Sequence, residues 1–443
     1  MIRHKLNTLL ITLFVVTTFS VSLFATDGYF RHGYGIKYSA LAGSGVAVSL
    51  SSLGAISNPA GIVFLDSDRY DFNISYFSPS REYTVTGNPS MMQGTFGLAP
   101  GTIESDRSSF YFPTLGANWM LNPTMAIGVV IYGNGGMNTE YPTMTFGDQS
   151  SPITGVNLEQ LFVGATYAIE ITEGHSLAVQ GLYAYQKFSA AGLAMFGAMG
   201  MSSDPTNLTG NANSTSTGFG FKVGYQGMIG KMIRIGGAYQ SKMNMSEFDR
   251  YAGLYAEQGD FDIPANWQAG IAVLPTEALT ILLDVQQILY SGVKSIANPM
   301  DAMALPPAFP DGEGGFIPNP NHVPLGADNG SGFGWEDMTI VKFGIMYKLQ
   351  SAWTLYGGYS YGQQPVPESE VLFNILAPGV VESHITVGVS KMLNKSNEIM
   401  VSFMYAPEKS VVGPNQFDPP SGQTVEIKMS QFQIEIGYGF NAY

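Results

Sequence analysis

The 443-residue sequence has no cysteine, which excludes a disulfide framework and any thiolate-held zinc or iron–sulfur centre. Charge is also scarce. Asp, Glu, Lys and Arg together make up 12% of residues, about half the share of an ordinary soluble domain. Beyond residue 25 there is no run of about 18 apolar residues, so no helical membrane span is available. Basic residues are outnumbered, 20 against 34 acidic ones, which makes nucleic acid an unsuitable partner, because that affinity rests on Lys and Arg neutralising phosphates. The chain has no P-loop, and His32, His175, His322 and His384 are dispersed without metal-ligand spacing. These absences predict no enzyme, no metal, no cofactor and no coupled energy source.

What is present begins with MIRHKLNTLLITLFVVTTFSVSLFA, where Arg3 and Lys5 precede an apolar run that ends on a small residue. This is the pattern of a secretory signal peptide over 1–25, with cleavage expected after Ala25. Removing it leaves 18 basic and 34 acidic residues, a net charge of −16 (18 − 34).

The rest of the chain alternates. In DRYDFNISYFS, Tyr70, Phe72, Ile74 and Tyr76 share one face, while Asp71, Asn73 and Ser75 share the other. The same period of two recurs through Leu161 to Ile169, Leu177 to Tyr185, Phe219 to Tyr225 and onward to Phe432, Ile434, Ile436, Tyr438 and Phe440. The second face carries Gly, Ala, Ser, Gln, Lys and Asp, as in Gly218, Gly220, Lys222, Gly224 and Gln226. One face suits lipid and the other a lumen.

Connections alternate between short and long. Short turns fall near 121–123, 171–175, 228–231, 275–277, 349–352 and 393–397. Long loops fall near 79–109, 137–155, 189–215, 244–264, 291–336, 364–381 and 408–424. Six short turns and seven long loops require 14 strands. The fold expected over 67–443 is therefore an all-β membrane protein, a 14-stranded antiparallel transmembrane β-barrel in the outer membrane of a Gram-negative bacterium. Residues 26–66 do not alternate, and their small, apolar composition favours packing inside the barrel as a hatch.

Here a resemblance becomes specific. AGSGVAV followed by SNPAG, ahead of a first strand, resembles the hatch of the FadL family, outer-membrane channels for long-chain fatty acids and other hydrophobic compounds. IYGNGGMNTEY is similar to that family's third strand, which a kink interrupts. FDIPANW is similar to the start of its eighth strand, and WTLYGGYSYGQQPVPES to its eleventh strand and the following loop. The resemblance implies a hatch-plugged barrel that passes hydrophobic compounds without an energy source.

Candidate site residues follow. The uncharged stretch AAGLAMFGAMGM carries Leu193, Met195, Phe196 and Met199. The next loop carries Phe248, Tyr251, Leu254 and Tyr255. The resemblance implies that these two loops form an external groove, where Met side chains adapt to varied apolar ligands. By strand parity Lys222, Arg234 and Lys342 face the lumen. Lys222 and Arg234, on strands joined by a short turn, are the first choice for a carboxylate site. Gly133, Asn134, Gly135 and Gly136 break the third strand, and the resemblance implies that this kink opens the wall sideways. Asn58, Pro59 and Ala60 form the hatch motif, expected in the hatch segment nearest that opening. The expected partners are a long-chain fatty acid or a hydrocarbon, together with outer-membrane lipid and lipopolysaccharide, around a monomeric protein. A general porin and a surface adhesin or receptor are the readings from other classes.

Overall fold

The computed structural model describes residues 27–350 and 352–442. The signal peptide expected over 1–25 lies outside the described residues. Fourteen long strands form one antiparallel sheet that closes on itself. In chain order they are β1 (Asp68–Thr86), β2 (Phe110–Asn122), β3 (Met125–Gly133), β4 (Gly155–Thr172), β5 (His175–Ala191), β6 (Ser214–Ile229) and β7 (Ile233–Gln240). There follow β8 (Asn266–Val273), β9 (Leu279–Ile288), β10 (Met338–Lys348), β11 (Trp353–Gly362), β12 (Ser383–Met392), β13 (Asn397–Pro414) and β14 (Thr424–Ala442). Each pairs with its neighbours in sequence, and β14 returns to β1 in continuous register from Asp68↔Ala442 to Thr86↔Thr424. No described helix is long and apolar enough to cross a membrane.

The wall inverts the burial pattern of a soluble protein. On β1, Phe72 is 47% exposed while Ser75 is 0% exposed, and Asp71 and Asn73 are buried beside it. Exposed Ile, Leu, Val, Phe and Tyr continue around the outer surface, as lipid contact requires. Tight turns such as Glu173–Gly174, with Gly174 at φ +73°, join strands at one end. Long loops at the other end fold into a cap with short helices and an aromatic core that includes Phe188, Phe248, Phe333 and Trp335.

β1 runs further than the alternation suggests. The expected loop at 79–109 begins only after Thr86, and Gly101–Glu104 pairs with β1 as a short extra strand. Arg81 therefore belongs to the wall.

The segment before β1 lies within the barrel. It holds one turn of helix at Ile36–Ser39 and 3-10 turns at Ser52–Ile56 and Pro59–Phe64, nearly all of it buried. Its backbone bonds to inward side chains from all around the wall. Gln180 donates to Ala55 O (3.2 Å), Gln268 to Gly43 O (3.0 Å) and Thr386 to Ala40 O (2.8 Å). The inward glycines are its footprint. A Cβ added at Gly236 would lie 2.2 Å from Val46 O, and one at Gly358 would lie 2.3 Å from Leu41 C. The small residues on the inner face thus let the plug backbone approach the wall backbone closely.

This contact predicts that Gly236→Val displaces the plug and opens an ion leak in planar-bilayer recordings. Gly181→Val, at an outward position with no atom within 4 Å of an added Cβ, should stay as tight as the parent.

Candidate functional site: the plugged lumen and the gap in its wall

Buried charges fix the plug at the end of the barrel where the turns are short. Glu398 accepts from Lys37 of the plug and from Arg69 of β1, each at 2.8 Å. Arg69 also holds Asp71, whose Oδ2 accepts from Ser52 N (2.9 Å) and Ser52 Oγ (2.6 Å). On β9, Asp284 Oδ2 accepts from Gly45 N (2.7 Å), Val46 N (2.9 Å) and Gln268 (2.8 Å). Higher in the lumen, Arg31 pairs with Glu435 of β14 at 2.7 Å. Partners of this quality offset the cost of burying each of these charges.

The wall is incomplete at one place. β2 and β3 pair only as far as Thr114↔Tyr132, so Phe110 to Pro113 bond to β1 on one side and have no β3 partner on the other. Beyond Gly133 the chain stays on β4, with Leu158 N donating to Met137 O at 2.7 Å, and parts from β2. Plug residues cover the break. Gly136 N donates to Tyr29 O and Arg31 N to Asn134 O, both at 3.2 Å. Tyr34 Oη donates to Asn134 Oδ1 at 2.6 Å, and Asn134 Nδ2 donates to Gln160 at 3.0 Å. Gly135 sits at φ +155°, and a Cβ there would be 1.8 Å from Tyr29 O, so no other residue fits.

Asn58, Pro59 and Ala60 lie elsewhere. Asn58 Nδ2 donates to Val46 O (2.7 Å) and Tyr225 O (2.9 Å), and its Oδ1 accepts from Ala60 N (3.1 Å), capping the 3-10 turn that Pro59 begins. The motif thus ties the plug to β6, and the segment at the break is Tyr29 to Tyr34. The motif's position is set by what its side chain can bond, which spacing in the sequence does not encode.

Lys222 and Lys342 border one buried cavity together with His32, Gln240 and Gln268. Lys342 is bonded to Asp27 Oδ2 (3.1 Å) and His32 O (2.8 Å). Lys222 donates to Ile56 O and makes no ion pair among the described residues. Gln240 Nε2, also buried, has no acceptor. Arg234 does not join them. Lys222 pairs across the hairpin with Gln240, whereas Arg234 pairs with Met228 beside the turn, roughly 20 Å along the strand. Arg234 borders the mouth of the barrel with Leu65 and Glu277. The antiparallel register corrects the expected Lys222–Arg234 pairing and brings Lys342, four strands further around the wall, to the cavity instead.

A known family matches this barrel chain along almost its whole length. The model of the outer membrane protein transport protein family (OMPP1/FadL/TodX) matches residues 32–437. The chain belongs to this family. It is a transport family rather than an enzyme family, and its members are outer-membrane barrels of Gram-negative bacteria. Among solved structures, the Pseudomonas putida toluene transporter TodX is 17% identical, with a TM-score of 0.64, over 93% of this chain and 99% of that one. A Pseudomonas aeruginosa FadL homologue is 14% identical, with a TM-score of 0.67, over 94% and 100%. The Ralstonia pickettii toluene transporter TbuX is 16% identical, with a TM-score of 0.61, over 93% and 99%. At these identities the likeness concerns the fold. No curated protein is significantly similar in sequence.

In this FadL/TodX-family chain the apolar loop residues form the core of the cap. Leu193, Phe196, Phe248, Tyr251, Leu254 and Tyr255 are at most 2% exposed, while Met195 and Met199 are half-buried. Phe196 packs on Phe96, Phe146 and Phe373, and Phe188 touches Phe248, Tyr251 and Tyr255. The apolar residues exposed on the outer loops are instead Met91, Met92, Met144, Met303, Phe316 and Ile317. Beneath the cap core, burial and the neighbouring Asp262 push the Asp260 carboxyl up to about 7. Asp262 itself pairs with Lys242 at 2.7 Å. Two lumen residues escaped the parity argument, Arg31 because the plug has no alternation and Arg81 because it fell in an expected loop.

Replacing Glu398 by Ala leaves Lys37 and Arg69 buried without their shared partner, at a cost of about 3–5 kcal/mol. The folded band on unboiled gels should then convert to the unfolded one at a lower temperature. For Asp260 the raised value means that its stabilising contribution is complete well below pH 4 and is lost as pH rises through about 7. Hydrogen exchange over 244–264 should therefore quicken between pH 4 and pH 7 beyond its intrinsic pH trend. Asp260→Asn should abolish the excess.

Proposed function

We propose that this protein is a passive channel for long-chain fatty acids. The observation that carries this reading is the buried Lys222 ammonium beside the unsatisfied Gln240 Nε2. A cation with no ion-pair partner among the described residues, beside a donor with no acceptor, suits an anionic head group and gives a bare hydrocarbon nothing to bind. Lys342 borders the same cavity and, through its pairing with Asp27, supplies an exchangeable pair.

Capture begins outside. Each CH2 removed from water contributes about 0.8 kcal/mol, so an acyl chain of a dozen carbons settles on any large enough apolar surface. Met195 and Met199 lie half-exposed over Leu193, Phe196, Phe248, Tyr251, Leu254 and Tyr255, which accept the chain when these two loops part. The head group then moves to Lys222, with the hatch over 26–66 yielding. The tail leaves through the break at Gly133 to Gly136, where β2 offers Phe110 and Phe112 and no backbone partner. Movement is down a gradient.

A hydrocarbon channel is the second reading. It is favoured by the aromatic lining near the break, Phe77, Phe110 and Phe112, and by the toluene transporters among the structural neighbours. A general porin fits poorly with a lumen occupied by its own chain.

Uptake of labelled oleate and labelled toluene, by cells lacking other hydrophobic-compound channels, separates the readings. Lys222→Ala should cut oleate uptake about tenfold, as loss of a charged hydrogen bond implies, and Arg234→Ala should not. Toluene uptake that exceeds oleate uptake and ignores Lys222→Ala would retire the fatty-acid reading.

A further inference from the structure

A second buried cavity lies between the plug and β1 and β2, next to the break in the wall. Its walls are apolar on several sides, with Phe77, Phe110, Phe112, Met404 and Met429. Two arginines border it. Arg31 spends Nη2 on Glu435 (2.7 Å) and Ser75 (3.0 Å), leaving Nε and Nη1 buried with no acceptor. Its guanidinium carbon lies 5.5 Å from the Phe112 ring centroid and 5.8 Å from that of Tyr34. Arg81 is 6% exposed, donates through Nη2 to Arg107 O, has no acceptor at Nε and makes no ion pair among the described residues. Its guanidinium carbon lies 5.6 Å from the Phe110 centroid. Buried guanidinium donors without acceptors are costly, and an anion supplied from outside removes that cost.

From this geometry we propose that Arg31 and Arg81 form a second head-group site, which holds the carboxylate of an amphiphile while its tail passes Phe110 and Phe112. The proposal rests on the fatty-acid reading above and adds the exit step to it. Both cavities are bordered by Phe30, Arg31 and His32, so a carboxylate leaving Lys222 meets Arg31 next. An apolar wall gives a neutral ligand no reason to prefer arginine over glutamine, so the site selects for the acid.

The test is carboxyl-13C oleate bound to the full chain in detergent, read by NMR. The parent should give two bound carboxyl resonances. Arg81→Gln should lose one of them and keep the one that Lys222→Ala removes. Arg81→Lys, which keeps the charge, should retain both. Oleyl alcohol uptake should be equal in the parent and in Arg81→Gln, while oleate uptake falls about tenfold. Arg81→Gln avoids the Arg31–Glu435 pair, and an unchanged folded band on unboiled gels confirms an intact barrel. Two resonances that persist in Arg81→Gln, or an equal fall for oleate and oleyl alcohol, would overturn the second site while leaving the first in place. A parent that binds no oleate at all would instead overturn both.

Discussion

Hydrocarbon offers a backbone amide nothing to bond, and this single constraint organises the molecule. It demands that the sheet close, and β14 returns to β1 over its whole length to do so. It also makes the break at β2 a conspicuous exception, because Phe110 to Pro113 lack a β3 partner there. On the β3 side of the break the plug compensates from inside, where Tyr29 and Arg31 bond to Gly136 and Asn134. Wall and plug are therefore one hydrogen-bonded object, and the break is a place where the two exchange partners.

The inside follows from the same constraint. A wall that shows hydrocarbon to lipid must show something else inward, and the alternation supplies Asp, Gln, Ser and Gly. Those residues bond the plug wherever its backbone turns away from itself, as Asp284 does for Gly45 and Val46. Glycine appears where the two backbones come too close for a Cβ, as at Gly236 and Gly358. The ionic knot of Lys37, Glu398, Arg69 and Asp71 locks the plug on the side away from the cap.

How much of this was legible depends on distance along the chain. Strand count, facing and turn placement are local properties of a period-two pattern, and the sequence carries them openly. Lys222, Gln240 and Asp284 are inward by parity alone. Register across a hairpin is less visible, and it separates Arg234 from Lys222. The plug has no period, so neither Arg31 at the break nor the attachment of Asn58 to Tyr225 could be read before the barrel was assembled. The apolar loop at 190–201 looked like surface because it is flanked by polar residues. Its partners, Phe96, Phe146 and Phe373, are contributed by three other loops.

The filled lumen also matters to the cell that displays it. A barrel of 14 strands has the girth of a sieve, yet its bore is occupied by its own chain from Ile36 to Phe64. Chain packed across the bore obstructs hydrated ions and polar antibiotics. Such a protein can be made in many copies without eroding the permeability barrier that the outer membrane exists to provide.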